Sequence, residues 1–331
     1  MNILYILGNG FDKAQGMATS YSEFYEYLMN NVKGGSDLLN KMKAEIRGSV
    51  ELWSDMERRL GEFAINTDSP EEYYDFYFEL CRLLQEYLSS ENEKFSPIEN
   101  QKTKFQSDFL TINKYLGELD KIRYKDFLRV NGFSSKDIFV VTLNYTNTLE
   151  KLLNLKDQNT SKGFDSSTIL RNIIHIHGTL GNPIIIGVNS EEQIINESFR
   201  NNDDIKDCMI KLQSNQVMKE TRHLECEELI NKAHVIILYG VSLGETDDHW
   251  WKIIGKNLEN RKDVIVIQHL YKPGLILPTE RQRLGKLERQ QQENLMERMG
   301  INKSNMTDND IKKRLFFIVN EQMFLINNLP Q

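Results

Sequence analysis

The feature that most constrains this chain is a short apolar strand at the N-terminus that ends in two closely spaced glycines. The apolar residues 3–7 lead directly into Gly8-Asn9-Gly10, and a helical pattern follows. Glycine lacks a Cβ, so backbone N–H groups can approach a phosphate there, and the positive end of a helix dipole faces it. Dinucleotide-binding folds carry their glycines at the same first strand–helix turn. Because the third glycine, Gly16, comes late, the pattern is not that of an ordinary dehydrogenase. A tight turn without a ligand is the alternative interpretation.

The composition excludes several classes of protein. The 331 residues suffice for one large domain or two ordinary ones, and 40% hydrophobic with 27% charged residues is typical of a soluble globular protein. A net charge of −7 gives no strong nucleic-acid signal. No apolar run approaches the roughly 20 residues that cross a bilayer, so no membrane partner is expected. The first strand is too short, and lacks the basic flank, for a signal peptide.

The cysteines indicate a reducing compartment. Cys81, Cys208 and Cys226 are far apart and odd in number, which fits the cytoplasm and excludes a four-cysteine zinc ribbon. We therefore expect a cytoplasmic protein without zinc.

Apolar runs separated by helical patterns predict the fold. Runs rich in Val and Ile predict further strands at residues 137–142, 171–178, 184–189, 234–239 and 263–267, with an edge strand at 315–319. Such runs are typical of a mostly parallel sheet with helices on both faces. Residues 203–213 and 219–231 are predicted as helices, and residues 281–298 as a solvated helix or loop.

The chain is predicted to divide into a core and an insertion. Residues 35–131 carry apolar residues at helical spacing and predict a large helical insertion between the first and second strands. Residues 1–34 and 132–331 are then the α/β core, and residues 35–131 the helical subdomain. Within the insertion, Asp55 and Glu57 point to different faces of one helix and are predicted to be solvated or capping residues.

Polar and small residues follow most of the predicted strands. Ligands of open parallel sheets bind beyond the carboxyl ends of the strands, so these positions share one edge. They are Gly8-Asn9-Gly10, Thr142 with Asn144, His177-Gly178, Gly187 with Asn189, and Gly240 with Ser242. Together they predict a polar ligand of nucleotide size.

His177 is the strongest acid–base candidate on that edge, because histidine exchanges a proton near neutral pH. His175 lies two residues earlier and is expected on the same side of the strand. No third ligand has matching spacing, so no metal is predicted. Asn144 could position a water or a sugar hydroxyl. A histidine hydrogen-bonded in a turn, and an asparagine that serves only the turn, are the alternatives.

Four blocks of the sequence, in this order, resemble the AbiH family of bacterial abortive-infection proteins. More distantly, they are similar to sirtuin-like NAD-binding domains, whose prokaryotic defence members resemble NAD-hydrolysing effectors. The blocks are Gly8-Asn9-Gly10-Phe11-Asp12 with Gly16 and Thr19-Ser20-Tyr21, then Asn144-Tyr145-Thr146, then His175-Ile176-His177-Gly178, then Gly240-Val241-Ser242-Leu243-Gly244-Glu245-Thr246-Asp247. The resemblance implies a Rossmann-like, sirtuin-like α/β fold.

The resemblance also implies roles for residues. Gly8 and Gly10 would line a pyrophosphate, and Asn144 would hold the nicotinamide ribose or the attacking water. His177 would act as general base near the ribose hydroxyls. Gly240 and Ser242 would contact the adenosine side. The remaining nucleotide-binding residues would be Asn9, Phe11, Asp12, Thr142, Tyr145, Thr146, Gly178 and Leu243.

The leading hypothesis is a phage-defence effector that hydrolyses the N-glycosidic bond of NAD or a related nucleotide, with no cofactor required. Sirtuin-type sites carry an aspartate two residues after the asparagine, where this chain has Thr146. That departure favours the alternative of a non-catalytic nucleotide sensor or switch. A nuclease acting on tRNA or DNA is a third hypothesis, disfavoured by the acidic charge balance. A homo-oligomer and a phage-derived trigger are further partners that this role allows.

Overall fold

The computed structural model describes residues 1–272, 282–301, 307–320 and 322–326. Within this part of the chain, one mixed sheet of seven strands forms the centre. The strands are β1 (Asn2–Leu7), β2 (Lys136–Thr142), β3 (Lys162–Gly163), β4 (Thr168–His175), β5 (Val235–Tyr239), β6 (Ile265–Leu270) and β7 (Leu315–Val319). Their order in the sheet is β3-β4-β2-β1-β5-β6-β7.

The sheet is mostly parallel, as the sequence predicts. Strand β1 pairs in parallel with β2 and β5, and the parallel pairing continues outward to β4 on one side and to β6 and β7 on the other. The short β3 pairs antiparallel with β4 and makes the sheet mixed. Strand β7 lies at the opposite edge, where the sequence predicts it. A sirtuin-like fold stays a prediction from the resemblance.

Both faces of the sheet are covered. Tyr5 of β1 belongs to one apolar cluster together with Phe105 of the helical region, while Ile6 belongs to a second cluster with Trp251. All five residues of β5 are buried. Strands buried on both faces carry unbroken apolar runs, which explains why the sequence located them.

Helices fill the connections. They are α1 (Gly10–Ala14), α2 (Tyr21–Asn31), α3 (Asp37–Gly48), α4 (Met56–Phe63), α5 (Pro70–Lys94), α6 (Glu99–Leu110), α7 (Glu118–Asn131), α8 (Thr148–Leu153), α9 (Glu197–Arg200), α10 (Asp203–Met209), α11 (Lys211–Val217), α12 (Arg222–Lys232), α13 (Asp248–Asn260), α14 (Gln282–Arg298) and α15 (Thr307–Lys312). Among the described residues, every helix is too short or too polar to cross a membrane.

Helices α3 to α7 lie in the sequence between β1 and β2, which are neighbours in the sheet. Trp53 and Phe76 of this helical region share an apolar cluster with Ile186 and Met209, which follow β4. The helical region therefore packs against a later segment of the chain as well as on itself. The division into core and subdomain stays a prediction.

Several local predictions differ from the structure. The strand predicted at 171–178 is β4, which spans Thr168–His175, and the helix predicted at 219–231 is α12, which spans Arg222–Lys232. Residues 184–189 form no strand; Val188 makes a single bridge to Ile210, and the Tyr77 hydroxyl donates to Ile186 O at 2.9 Å. The segment is apolar because the helices cover it. The helix predicted at 203–213 breaks into α10 and α11, because Ile210 has an extended conformation with ψ 109°. Helix α14 buries Leu287, so it is not wholly solvated. Arg281 lies outside the described residues.

Candidate functional site

A cavity of about 500 Å³ lies beyond the carboxyl ends of β1, β2, β4 and β5. It brings together most of the residues that the sequence places at this edge. These are Gly8, Asn9, Gly10, Asp12, Asn144, Tyr145, Thr146, His177, Gly240 and Ser242. Positions more than 200 residues apart in sequence therefore share one hollow, as the carboxyl-edge rule predicts.

The cavity lining does not include the other predicted binding residues. Phe11 is 1% exposed and packs edge-on against Phe105. Leu243 is a buried core residue that lines a second, adjoining cavity. Gly178 lines a separate cavity of about 290 Å³. Thr142 lies outside the lining and positions a lining residue, because its Oγ1 accepts a hydrogen bond from the Asn144 backbone N–H at 3.1 Å.

Neither Gly187 nor Asn189 lines the cavity either. A Cβ added at Gly187 would lie 1.9 Å from Met209 O. This glycine therefore serves the close packing of two backbone segments, away from the cavity.

The glycines of the first loop allow two backbones to touch. A Cβ at Gly10 would lie 2.6 Å from Gly240 Cα, and one at Gly8 would lie 2.6 Å from Gly240 O. The Gly10 N–H donates to Gly240 O at 2.9 Å, and the Gly8 N–H donates to Tyr239 O at 3.0 Å. Both N–H groups are therefore used inside the protein. A ligand at this junction would contact backbone that carries no side chains. Hydrogen-bond donors to that ligand must therefore come from neighbouring groups.

Asn144 joins the second strand to the first loop. Its Nδ2 donates to Gly8 O at 3.2 Å, and its side chain is buried. This hydrogen bond fixes the Asn144 amide between the loops that follow β1 and β2, on the wall of the cavity.

Asp12 is a buried carboxyl group on the cavity wall. Its Oδ2 accepts a hydrogen bond from Thr146 Oγ1 at 2.6 Å, whereas its Oδ1 has no hydrogen-bond partner among the described residues. Burial raises the pKa of Asp12 to about 6, although the neighbouring polar groups of Thr146, Thr148 and Asn144 partly oppose the shift. The group thus changes charge close to neutral pH.

His177 faces a buried chain of charges. Its Nε2 lies 3.2 Å from Asp247 Oδ1, but the approach is too oblique for a hydrogen bond. Lys211 Nζ donates to the same Asp247 oxygen at 2.8 Å and to Glu57 Oε2 at 2.7 Å. Burial alone would raise the pKa of Asp247 and lower that of Lys211. Their mutual attraction, aided at each end by His177 and Glu57, outweighs burial and shifts both pKa values the other way.

His175 has partners of its own. Its Nε2 lies 2.8 Å from Glu150 Oε1, and its Nδ1 lies 2.9 Å from Asn144 O. Strand β4 ends at His175, so strand alternation no longer governs His177, and the two rings face different groups. Among the described residues, no three His, Cys, Asp or Glu side chains are placed to hold a metal ion.

A second cavity of about 580 Å³ adjoins the first and shares Gly10, Gly240 and Ser242 with it. The stacked rings of Tyr239 and His269, with centroids 4.4 Å apart, form part of its wall. The glycine loops thus separate two hollows of similar size.

A comparison with known protein families identifies the family of this chain. A family model described as bacteriophage abortive infection AbiH matches residues 4–269. The chain belongs to the AbiH family. No curated protein matches it. The AbiH match includes every residue that lines the first cavity, and membership supports a role in bacteriophage abortive infection.

Sequence reasoning missed part of the AbiH site. Glu57 is 7% exposed and lines the cavity, so its interpretation as a solvated or capping residue is wrong. The capping interpretation is confirmed for Asp55, whose Oδ1 accepts from the Arg58 N–H of α4 at 3.1 Å. The sequence predicted no role for Lys211 or Asp247, although Asp247 is the last residue of the fourth sequence block. A signal for Glu57 was available, because it lies three residues before the buried Leu60 on the apolar side of α4.

Proposed function

We propose that this AbiH protein is an abortive-infection effector that binds NAD or a related dinucleotide and hydrolyses its N-glycosidic bond. The observation that carries the proposal is the pair of adjoining cavities, one of which gathers Asn144, His177 and the Asp12 carboxyl group. Each volume lies within the range of roughly 300–1,000 Å³ that holds small molecules. A dinucleotide has two such halves, joined by a diphosphate that would cross the glycine junction.

The charges of the two cavities support one orientation of the dinucleotide. In the described part of the chain, the first cavity is lined by four carboxylates and by no Lys or Arg, namely Asp12, Asp55, Glu57 and Asp247. The second is lined by Lys13 and Lys272 and by no Asp or Glu. The nicotinamide ring of NAD is cationic and its diphosphate is anionic. The reacting half therefore fits the acidic cavity, and the adenosine half fits the basic one.

The chemistry matches the groups present. Cleavage of an N-glycosidic bond passes through an oxocarbenium-like state. Carboxylates stabilise this state, and a positioned water then attacks it. Asn144 holds the ribose or the water, and His177 faces the ribose hydroxyls. Asn9 accepts from the Thr19 hydroxyl at 2.6 Å through Oδ1, which leaves its Nδ2 as a donor for the diphosphate. Ser242 contacts the adenosine side.

The test is nicotinamide release from NAD by the purified protein, followed by chromatography. Asn144→Ala and His177→Ala are expected to lower the rate at least 100-fold. Asn201→Ala, at an exposed position outside both cavities, is the matched control and keeps the wild-type rate. Wild-type release no higher than that of the two site variants rejects the hydrolase.

One observation favours a non-catalytic sensor as the second candidate. The polar groups that follow Asn144 are already engaged, since the Tyr145 hydroxyl donates to Ile185 O at 3.0 Å and Thr146 donates to Asp12. Neither is left to recognise the nicotinamide amide. Tight binding of NAD and ADP-ribose, with no product after hours, selects the sensor over the hydrolase.

A further inference from the structure

Asp12 differs from Asp108, the other aspartate that is deeply buried in the described part of the chain. Asp108 is equally buried, at 1% exposed, and both of its oxygens are satisfied: Lys104 and the Phe324 N–H bond one, and Lys114 bonds the other. Asp12 is also 1% exposed, but of its two oxygens only Oδ2 has a hydrogen-bond partner among the residues that the structure describes, namely Thr146. The unpaired Oδ1 is thus a feature of this position.

A buried carboxyl oxygen without a partner is costly. Most buried polar atoms are hydrogen-bonded, and leaving one unpaired destabilises the protein, more so for a charged group. Asp12 lines the acidic cavity and its Oδ1 has almost no surface open to solvent, so a donor for this oxygen has to bind deep in that cavity. The Gln15 and Met17 N–H groups hold the Asp12 carbonyl, and Thr146 holds the carboxyl group, so Oδ1 keeps a defined place.

We propose that Asp12 is the general base that takes a proton from the attacking water, an assignment that rests on the proposed hydrolysis. The water O–H bond breaks and its proton goes to Asp12 Oδ1, while the water oxygen forms a bond to ribose C1′. The C1′–N bond breaks, and its electron pair neutralises the nicotinamide ring nitrogen. Asp12 then releases the proton to solvent. The products are ADP-ribose, nicotinamide and one proton.

The surroundings fit this role. Thr146 donates to Oδ2, so it orients the carboxyl group without occupying Oδ1, and Thr148 in turn donates to Thr146 Oγ1 at 3.0 Å. Burial raises the pKa of Asp12 to about 6, which leaves the group ionised at pH 7 yet more basic than an exposed aspartate. His177 is held beside Asp247 instead and is left to the ribose hydroxyls.

The experiment compares wild type with Asp12→Asn, using NAD as substrate. The variant is expected to lose at least 100-fold in kcat with KM changed less than threefold. The wild-type kcat/KM falls as pH drops below about 6, and the variant lacks this acidic limb. Azide is already ionised and needs no base, so it is expected to restore turnover of Asp12→Asn and give an azido ADP-ribose product. A residue with only a structural role allows no such rescue.

The matched control is Asp126→Asn. Asp126 is an exposed aspartate outside both cavities. This variant keeps the wild-type kcat and the acidic limb. An active wild type whose Asp12→Asn variant retains kcat or the acidic limb overturns the role of Asp12 alone. Azide rescue of His177→Ala but not of Asp12→Asn also overturns it. Failure of the wild type to release nicotinamide overturns the proposed function itself.

Discussion

Asp12 gives a stability prediction that does not depend on any substrate. Its pKa is about 6 in the folded protein, against an ordinary value of 3.8. The folded state therefore holds the proton more tightly than the unfolded state. Stability falls as pH rises from about 4 to about 6, and the loss is complete above that range. A difference of roughly two pKa units corresponds to about 3 kcal/mol. Asparagine keeps an acceptor for Thr146 and cannot ionise, so Asp12→Asn removes this loss.

The assay is urea unfolding of wild type and Asp12→Asn at pH 4 and at pH 8. The free energy of unfolding of the variant, relative to wild type, is expected to be about 3 kcal/mol larger at pH 8 than at pH 4. Asp108→Asn is the control with the opposite sign. Burial opposes ionisation of Asp108, but Lys104 and Lys114 outweigh it and lower the pKa, so its contribution is present above the ordinary pKa and lost in acid. A gap between wild type and Asp12→Asn that is equal at both pH values refutes the reasoning.

Two further substitutions test the packing around the cavity. Lys211→Met leaves two buried carboxylates without their cation. It is expected to lower the free energy of unfolding, measured in urea at pH 7, by about 3–5 kcal/mol. A loss below about 1 kcal/mol contradicts the buried ion pairs. Gly10→Ala places a Cβ 2.6 Å from Gly240 Cα and is expected to weaken NAD binding at least tenfold by calorimetry. Gly117→Ala meets no atom within 4 Å and is the control, so equal affinities for both alanine variants argue against the role of the glycine junction.

The strands were predictable because most of them are buried on both faces. Each parallel strand of the sheet coincides with an apolar run, and burial of that kind leaves little room for other patterns. Strand β3 has two residues, Lys162 and Gly163, and carries no such run. Residues 184–189 have the same apolar pattern as a strand, but helices bury them. Periodicity reports burial and cannot say which element supplies it.

The site was predictable only where it follows the strand ends. Asn144, His177 and Gly240 come directly after strands, so the rule for parallel sheets assembles them. Glu57 and Lys211 are 154 positions apart, and only tertiary packing brings them together. The Thr146 hydroxyl also donates to Asp12, which lies 134 positions away in the sequence. Neither sequence block alone predicts this contact.

The acidity of the first cavity belongs to neither part of the chain alone. Asp12 and Asp247 come from loops at the sheet edge, whereas Asp55 and Glu57 come from the helical region between β1 and β2. Glu57 reaches Asp247 through the shared ammonium of Lys211, so the position of α4 affects the charge beside His177. A helical region that did not contact the strand-end loops would leave those loops open to solvent. Here it supplies two of the four carboxylates, so the charge difference between the two cavities depends on both parts of the chain.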